Sequence, residues 1–248
     1  MSDLRGKTAI LTGAAQGLGY AIARAYAAEG MRVALMDVQR ERLNQVADEV
    51  RALGGEALPI AVDLSDAAAT QIAADEALAV LGTPCVLVHN AALLREVPFA
   101  EVRFENWRRE LDIILQAAFL LCKAVWQPMM AAGGGSIVLL SSGSGIKGFV
   151  NESAYCPGKH GQEGLMKVLS MEGAPHHIAV NTITPGAPIN TPMSDSNYSP
   201  EMKLKWVDPA LLAPAFVYLA KQGAAGLTGE RLSAWDVSEQ IRAGQITL

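Results

Sequence analysis

The sequence predicts an α/β domain built on a doubly wound parallel sheet. Six short runs rich in Val, Ile and Leu recur along the chain, and helix-patterned stretches separate them. The first run feeds a glycine-rich bend that opens a helix. Near-continuous apolar runs suit strands covered on both faces, and strand–helix alternation marks parallel crossover units. The 248 residues are half hydrophobic, and no repeat, low-complexity tract or linker divides them. Residues 1–248 therefore read as one domain.

In chain order the expected strands are Thr8–Thr12, Arg32–Asp37, Ala57–Asp63, Cys85–His89, Ser136–Ser141 and Ile178–Thr184. The first expected helix, Leu18–Glu29, stops at Gly30, a residue suited to the left-handed cap. The second, Gln39–Leu53, stops at Gly54-Gly55, and the third, Ser65–Leu81, stops at Gly82. Ser65-Asp66 offers that third helix an N-cap and an acidic first turn. The apolar stretch Leu111–Ala132 is broken by Asp112, Gln116, Lys123, Gln127 and Pro128, so it reads as a packed helix and not a membrane span. Pro185–Pro209 holds five prolines and reads as a long loop. It would leave the carboxyl edge of the sheet, where ligands of such folds bind, and it is expected to cover substrate.

A net charge of −5 argues against a nucleic-acid coat, which needs a basic face. So apolar a chain can offset its ordering entropy, which excludes disorder. Met1–Lys7 is polar and charged, and Thr8–Leu11 is too short for a secretory segment. Cys85, Cys122 and Cys156 have no metal spacing. Reduced thiols in a cytoplasmic protein, with no metal, nucleic-acid or membrane partner, are the expectation.

Chemistry enters at the first bend, Thr12-Gly13-Ala14-Ala15-Gln16-Gly17-Leu18-Gly19. Its glycines permit a tight turn and a close backbone approach to a pyrophosphate, with the free N–H groups of the following helix behind it. Asp37 ends the second expected strand, where a carboxylate accepts the adenosine ribose hydroxyls and repels a 2′-phosphate. Gln16 and Val38 carry no charge to offset such a phosphate. NAD is the expected cofactor.

Tyr155 and Lys159 stand four positions apart, on one face of a helix. A nearby ammonium and an oxidised nicotinamide both favour a phenolate over a phenol, whose free pKa is about 10. Ser142 follows the fifth expected strand and could hold a substrate oxygen.

With these residues in this order, the sequence resembles the short-chain dehydrogenase/reductase family from Gly6 to Gly229. The resemblance implies a Rossmann fold with a seven-stranded, mainly parallel sheet, NAD(P)-dependent interconversion of an alcohol and a carbonyl, and a homotetramer built through long helices. It implies Ser142, Tyr155 and Lys159 as the catalytic set, with Tyr155 as general acid/base. At the cofactor it implies Asp63 and Leu64 beside adenine, Asn90 and Ala91 after the fourth strand, Pro185, Gly186 and Thr191 after the sixth, and Lys159 on the nicotinamide ribose.

The chain departs from the family in several places. Ile114 stands where the pattern W-x6-N, counted from Trp107, calls for an asparagine that holds a water beside the lysine. Asp112 and Gln116 face away from that position. His89 replaces the first asparagine of Asn-Asn-Ala-Gly and reads as a core histidine with a backbone partner. Pro157 falls in the first turn of its helix, where no N–H is needed. Residues 230–248 replace the usual Val-Asp-Gly-Gly ending with an atypical tail that could remodel a subunit contact or a pocket. Substrate-pocket candidates are Leu93, Leu94, Ser144, Phe149, Val150, Asn151, Met193, Tyr198 and Trp206, with Arg95, Asn151 and Glu152 as polar anchors. The expected activity is hydride transfer between NAD(H) and a secondary alcohol or ketone. An NADPH-dependent carbonyl reductase and a low-turnover cofactor-binding scaffold are the alternatives.

Overall fold

A computed structural model describes residues 3–222 and 226–248. The chain alternates strand and helix through β1 (Thr8–Thr12), α1 (Gly17–Ala28), β2 (Arg32–Asp37), α2 (Arg40–Ala52), β3 (Glu56–Ala61), α3 (Ala67–Leu81) and β4 (Pro84–His89). Next come α4 (Phe104–Leu111), a π-helical turn at Asp112–Gln116, α5 (Ala117–Ala131), β5 (Gly135–Leu140), α6 (Tyr155–Gly173) and β6 (Ile178–Thr184). The short helices α7 (Pro192–Asn197) and α8 (Pro200–Lys203) precede α9 (Ala213–Gln222), β7 (Arg231–Ser233) and α10 (Ala234–Arg242).

The seven strands pair in parallel in the order β3-β2-β1-β4-β5-β6-β7. This is a Rossmann-like sheet with helices on both faces. Period-two alternation sorts each central strand between two apolar layers. Ala9, Leu11, Val33 and Leu35 pack toward α1, α2 and α9, whereas Ile10, Ala34 and Met36 pack toward α3, α5 and α6. Strand order reverses between β1 and β4, and the crevice beyond their carboxyl ends is where this fold binds ligands.

Glycines at positive φ stand where the helices are expected to stop: Gly30, Gly54 and Gly82 hold φ of +71°, +92° and +76°. Asp66 is itself the cap of α3, accepting from the Ala69 N–H at 3.0 Å, so no acid remains for the first turn. Pro157 is the third residue of α6, inside the turn that leaves its N–H groups free.

One expectation needs correction. Pro185–Pro209 is not a structureless loop. Thr191 and Ser199 cap α7 and α8, each with proline at its start, and Ile189 bridges Val207. The tail supplies β7 and then α10, which packs on α9. Leu111–Ala132 is helical as expected, with a π turn over Asp112–Gln116. Phe104–Ala131 is long and apolar enough to cross a membrane by composition, yet Ala117, Ala118, Leu121, Cys122, Val125 and Met129 bury themselves in the layer under the sheet.

Candidate active site

β1 hands the chain to α1 through a turn that admits no side chains at two points. A Cβ on Gly19 would lie 1.9 Å from the Gly13 carbonyl oxygen, and one on Gly13 would meet Asn90 Nδ2 at 2.7 Å. Gly13 also sits at φ +64°, in the left-handed region. Asn90 ties the turn down, donating from Nδ2 to the Thr12 and Gly13 carbonyls at 3.1 and 3.0 Å. The Asn90 and Ala91 N–H groups both donate to Thr12 Oγ1. Gln16, at the N-cap of α1, makes no side-chain capping bond. The first turn of the helix is thus open to an anion.

This turn floors a cleft of about 440 Å³. Gly13, Gln16, Gly17, Leu18, Asp37, Asp63, Leu64, Asn90, Ala91, Pro185 and Thr191 line it, as do Ser142 and Tyr155. The structure brings together residues from six strand ends that the sequence scatters over about 180 positions. Thr191 reaches back to the glycine turn: a Cβ on Gly17 would sit 3.0 Å from its methyl carbon. Gly19, Gly186 and Lys159 lie outside the lining. Gly19 backs onto the Gly13 carbonyl, and Gly186 onto Ser233 and Trp235 of the tail.

At one end Asp37 accepts the Ala15 and Gln39 N–H groups on its two oxygens, each at 3.0 Å, and each oxygen keeps acceptor capacity. Across the cleft Asp63 accepts from Ser65 and pairs with Arg109 at 2.7 Å. Partial burial works to raise the Asp63 carboxyl, but hydrogen bonds from Ser65 and Arg109 hold it below the usual carboxylate range. Arg109 was not foreseeable from spacing, because it meets Asp63 only through the fold.

At the other end Tyr155 opens α6. Burial, followed by the Glu152 carboxylate, pushes its phenol well above the usual range, while a hydrogen bond with the Ser142 hydroxyl works against them. The net direction in the protein alone is opposite to the acidification expected from the ammonium and an oxidised nicotinamide together. Lys159 Nζ stands 5.5 Å from the Tyr155 ring centre, and burial pushes the ammonium down to about 7, with Glu163 opposing. In this structure Lys159 Nζ donates to the Leu140 carbonyl, and to Gln162 Oε1 at 3.1 Å.

Behind Ser142 lies a polar cluster absent from the sequence reading. Buried Glu163 accepts from Ser141 Oγ, from Thr182 Oγ1 at 2.8 Å and from Arg231 Nε at 3.1 Å. Arg231, on β7, also donates to the Ser142 carbonyl at 2.9 Å. His89 is the core histidine expected. Its Nε2 bonds the Ile113 carbonyl at 3.1 Å, which makes Nε2 the protonated nitrogen and leaves Nδ1 to accept from Thr12 Oγ1 at 3.0 Å.

Of the substrate candidates, Leu93, Arg95, Met193 and Tyr198 line the cleft, joined by Ile189 and Ala92. Leu94, Ser144, Phe149, Val150, Asn151 and Trp206 do not. Phe149 and Val150 face outward, Ser144 is buried under Ser142, and Glu152 accepts instead from Cys156 Sγ.

The family model for short chain dehydrogenase matches residues 7–201. D-threitol dehydrogenase of Mycolicibacterium smegmatis is 35% identical over 237 residues, covering 92% of this chain and 91% of its own. The crystal structure of carveol dehydrogenase from Mycobacterium avium in complex with NAD superposes with a TM-score of 0.84 at 28% identity, covering 94% of this chain and 97% of that one. A metagenomic short-chain oxidoreductase in complex with NADP gives a TM-score of 0.81 at 32% identity, covering 94% and 98%.

Proposed function

This chain belongs to the short-chain dehydrogenase family and is an oxidoreductase acting on CH–OH groups, and on that premise we propose that it interconverts a secondary alcohol and a ketone with NAD(H). The observation that carries this reading is the pairing of Tyr155 and Ser142 on the wall of a cleft whose far end presents Asp37. The bare glycine turn fits a pyrophosphate, since a side chain at Gly13 or Gly19 would strike backbone or Asn90. When bound, the dinucleotide supplies a hydride acceptor or donor at its nicotinamide and, oxidised, a positive charge.

The chain's own residues hold the rest of the chemistry. Tyr155 takes the hydroxyl proton in oxidation and returns it in reduction. Ser142 orients the substrate oxygen and stabilises the charge that develops on it. Lys159 keeps a cation next to the phenol and is the residue to hold the nicotinamide ribose. Asp37, with uncharged Gln16 and Val38 beside it in the cleft lining, supports a ribose 2′-hydroxyl over a 2′-phosphate. Asp63, Leu64, Asn90, Ala91, Pro185, Gly186 and Thr191 complete the proposed cofactor site. Leu93, Ile189 and Met193 favour a medium-sized, largely apolar substrate, and Arg95 and Tyr198 offer it polar contacts.

Copies of the chain are proposed to associate as a homotetramer through α4, α5 and α6. Phe104, Phe119, Val168 and Met171 expose apolar surface there, around a groove lined by Leu111, Leu115 and Leu165. The unpaired thiols of Cys85, Cys122 and Cys156 support a cytoplasmic setting. The test is a panel of secondary alcohols and ketones assayed with each cofactor, for the wild type and Tyr155→Phe. The variant is expected to lose activity by about 10²–10⁴-fold while binding NADH normally. An inactive wild type that binds NADH tightly would favour the scaffold reading.

A further inference from the structure

We propose that Gln162 is the positioning residue for Lys159, in place of the asparagine that Ile114 displaces. The inference begins at the π turn. There the Ala117 N–H bonds back to the Asp112 carbonyl, one residue further than in an α-helix, and the local register shifts. Two successive carbonyls then take side-chain donors from neighbouring elements. Ile113 receives His89 Nε2, and Ile114 receives Gln162 Nε2 at 2.9 Å.

That second bond fixes the sense of the Gln162 amide. Its NH₂ is held by a carbonyl, so Oε1 faces the Lys159 ammonium, 3.1 Å away. The flipped amide would set oxygen against oxygen and donors against donors. Gln162 is fully buried, so water cannot replace either contact cheaply. Two glycines let α6 approach closely enough. A Cβ on Gly158 would lie 3.0 Å from Ile114 Cγ2, and one on Gly161 would lie 2.6 Å from Leu115 Cδ2. Ile114, Gly158, Gly161 and Gln162 therefore act as one unit: bulk from the π turn fills the glycine face, and the amide bridges what remains. The charged or titratable groups facing Lys159 are Glu163 and Tyr155 on its own helix and neutral His89 from β4.

The inference deepens the redox reading and rests on it for the role in turnover. The lysine contact can be tested without cofactor or substrate. Lysine labelled with ¹³C and ¹⁵N is titrated by NMR in the cofactor-free protein, the Lys159 signal being the one missing in Lys159→Met. Gln162→Met removes the acceptor and is expected to lower the Lys159 midpoint by about one pH unit. Gln162→Glu places a carboxylate there and is expected to raise it. Opposite shifts mark a direct contact, because a packing defect alone would not reverse sign between the two variants. With substrate, Gln162→Met is expected to lower kcat roughly tenfold with KM unchanged, and to move the pH limb of kcat with the Lys159 midpoint. An unmoved midpoint in both variants, or shifts of the same sign, overturns the contact. Opposite shifts with an unchanged kcat overturn the role in turnover. A protein that oxidises no alcohol while the midpoints diverge sinks the redox reading instead.

Discussion

Gly158 and Ile114 are matched surfaces: the glycine's missing side chain is the space that the isoleucine's methyl occupies, with 3.0 Å between Ile114 Cγ2 and a Cβ built at 158. Alanine is worth up to about 1 kcal/mol over glycine inside a helix. Here the clash outweighs it, because Ile114 is fully buried and overpacking costs roughly 1–3 kcal/mol. Gly158→Ala is expected to destabilise the wild type and to stabilise an Ile114→Ala background. Urea unfolding of the four proteins gives the coupling; equal effects in both backgrounds would refute it.

His89 makes the fold sensitive to acid. Burial, helped by Lys159, pushes its imidazole down to about 3, against 6.5 when free. Below pH 6.5 the unfolded chain binds a proton that the folded protein refuses. The histidine's contribution is complete above 6.5 and drains away as pH falls toward 3, on the order of a few kcal/mol in all. Burial pushes Glu110 up to about 7, with Arg95 opposing, and its contribution has the opposite slope between pH 4.5 and 7. The comparison must therefore be with a variant. The stability of the wild type relative to His89→Asn is expected to rise with pH between 4 and 6.5 and to level off above, read from urea midpoints.

Because burial raises the Tyr155 phenol, alcohol oxidation is expected to speed up toward alkaline pH, and ketone reduction to slow. Oxidation needs the phenolate and should gain about tenfold per pH unit below the operating pKa. Ser142→Ala removes the one hydrogen bond that opposes the rise. The variant's alkaline limb is expected at higher pH than the wild type's, and a limb that stays put would mean that Ser142 does not act on the phenol.

Asp37→Asn keeps an acceptor for a backbone N–H while removing the charge. The preference for NADH over NADPH is expected to narrow by about tenfold, roughly 1.4 kcal/mol. Fluorescence titration with both cofactors measures it. Tighter NADPH binding by the wild type would overturn the proposed role of Asp37.

The sheet was legible because short apolar runs and the glycines that stop the helices between them are local signals; β1, β2 and β6 match their expected limits residue for residue. The same locality made Gly13 and Asp37 readable as neighbours of one cleft, and the family resemblance added Asn90. What escaped was made by contacts across the fold. Gln162 and Arg231 sit among ordinary helix and strand residues, and only α6 packed on the π turn, or β7 paired with β6, reveals their partners. The two capped helices within Pro185–Pro209 were hidden for another reason: each is too short to show a hydrophobic period.

The guanidinium that β7 brings to Glu163 and to the Ser142 carbonyl belongs to a strand that emerges after the other six of its sheet. Earlier strands and helices can collapse while translation continues. Until residue 231 arrives, however, the acid behind Ser142 lacks the guanidinium that pairs with it, and burying a carboxylate short of its partner is costly. A chain lacking that strand should keep the seat for the dinucleotide yet leave the proton machinery unassembled, so that the arrival of β7 arms a site whose seat is already built.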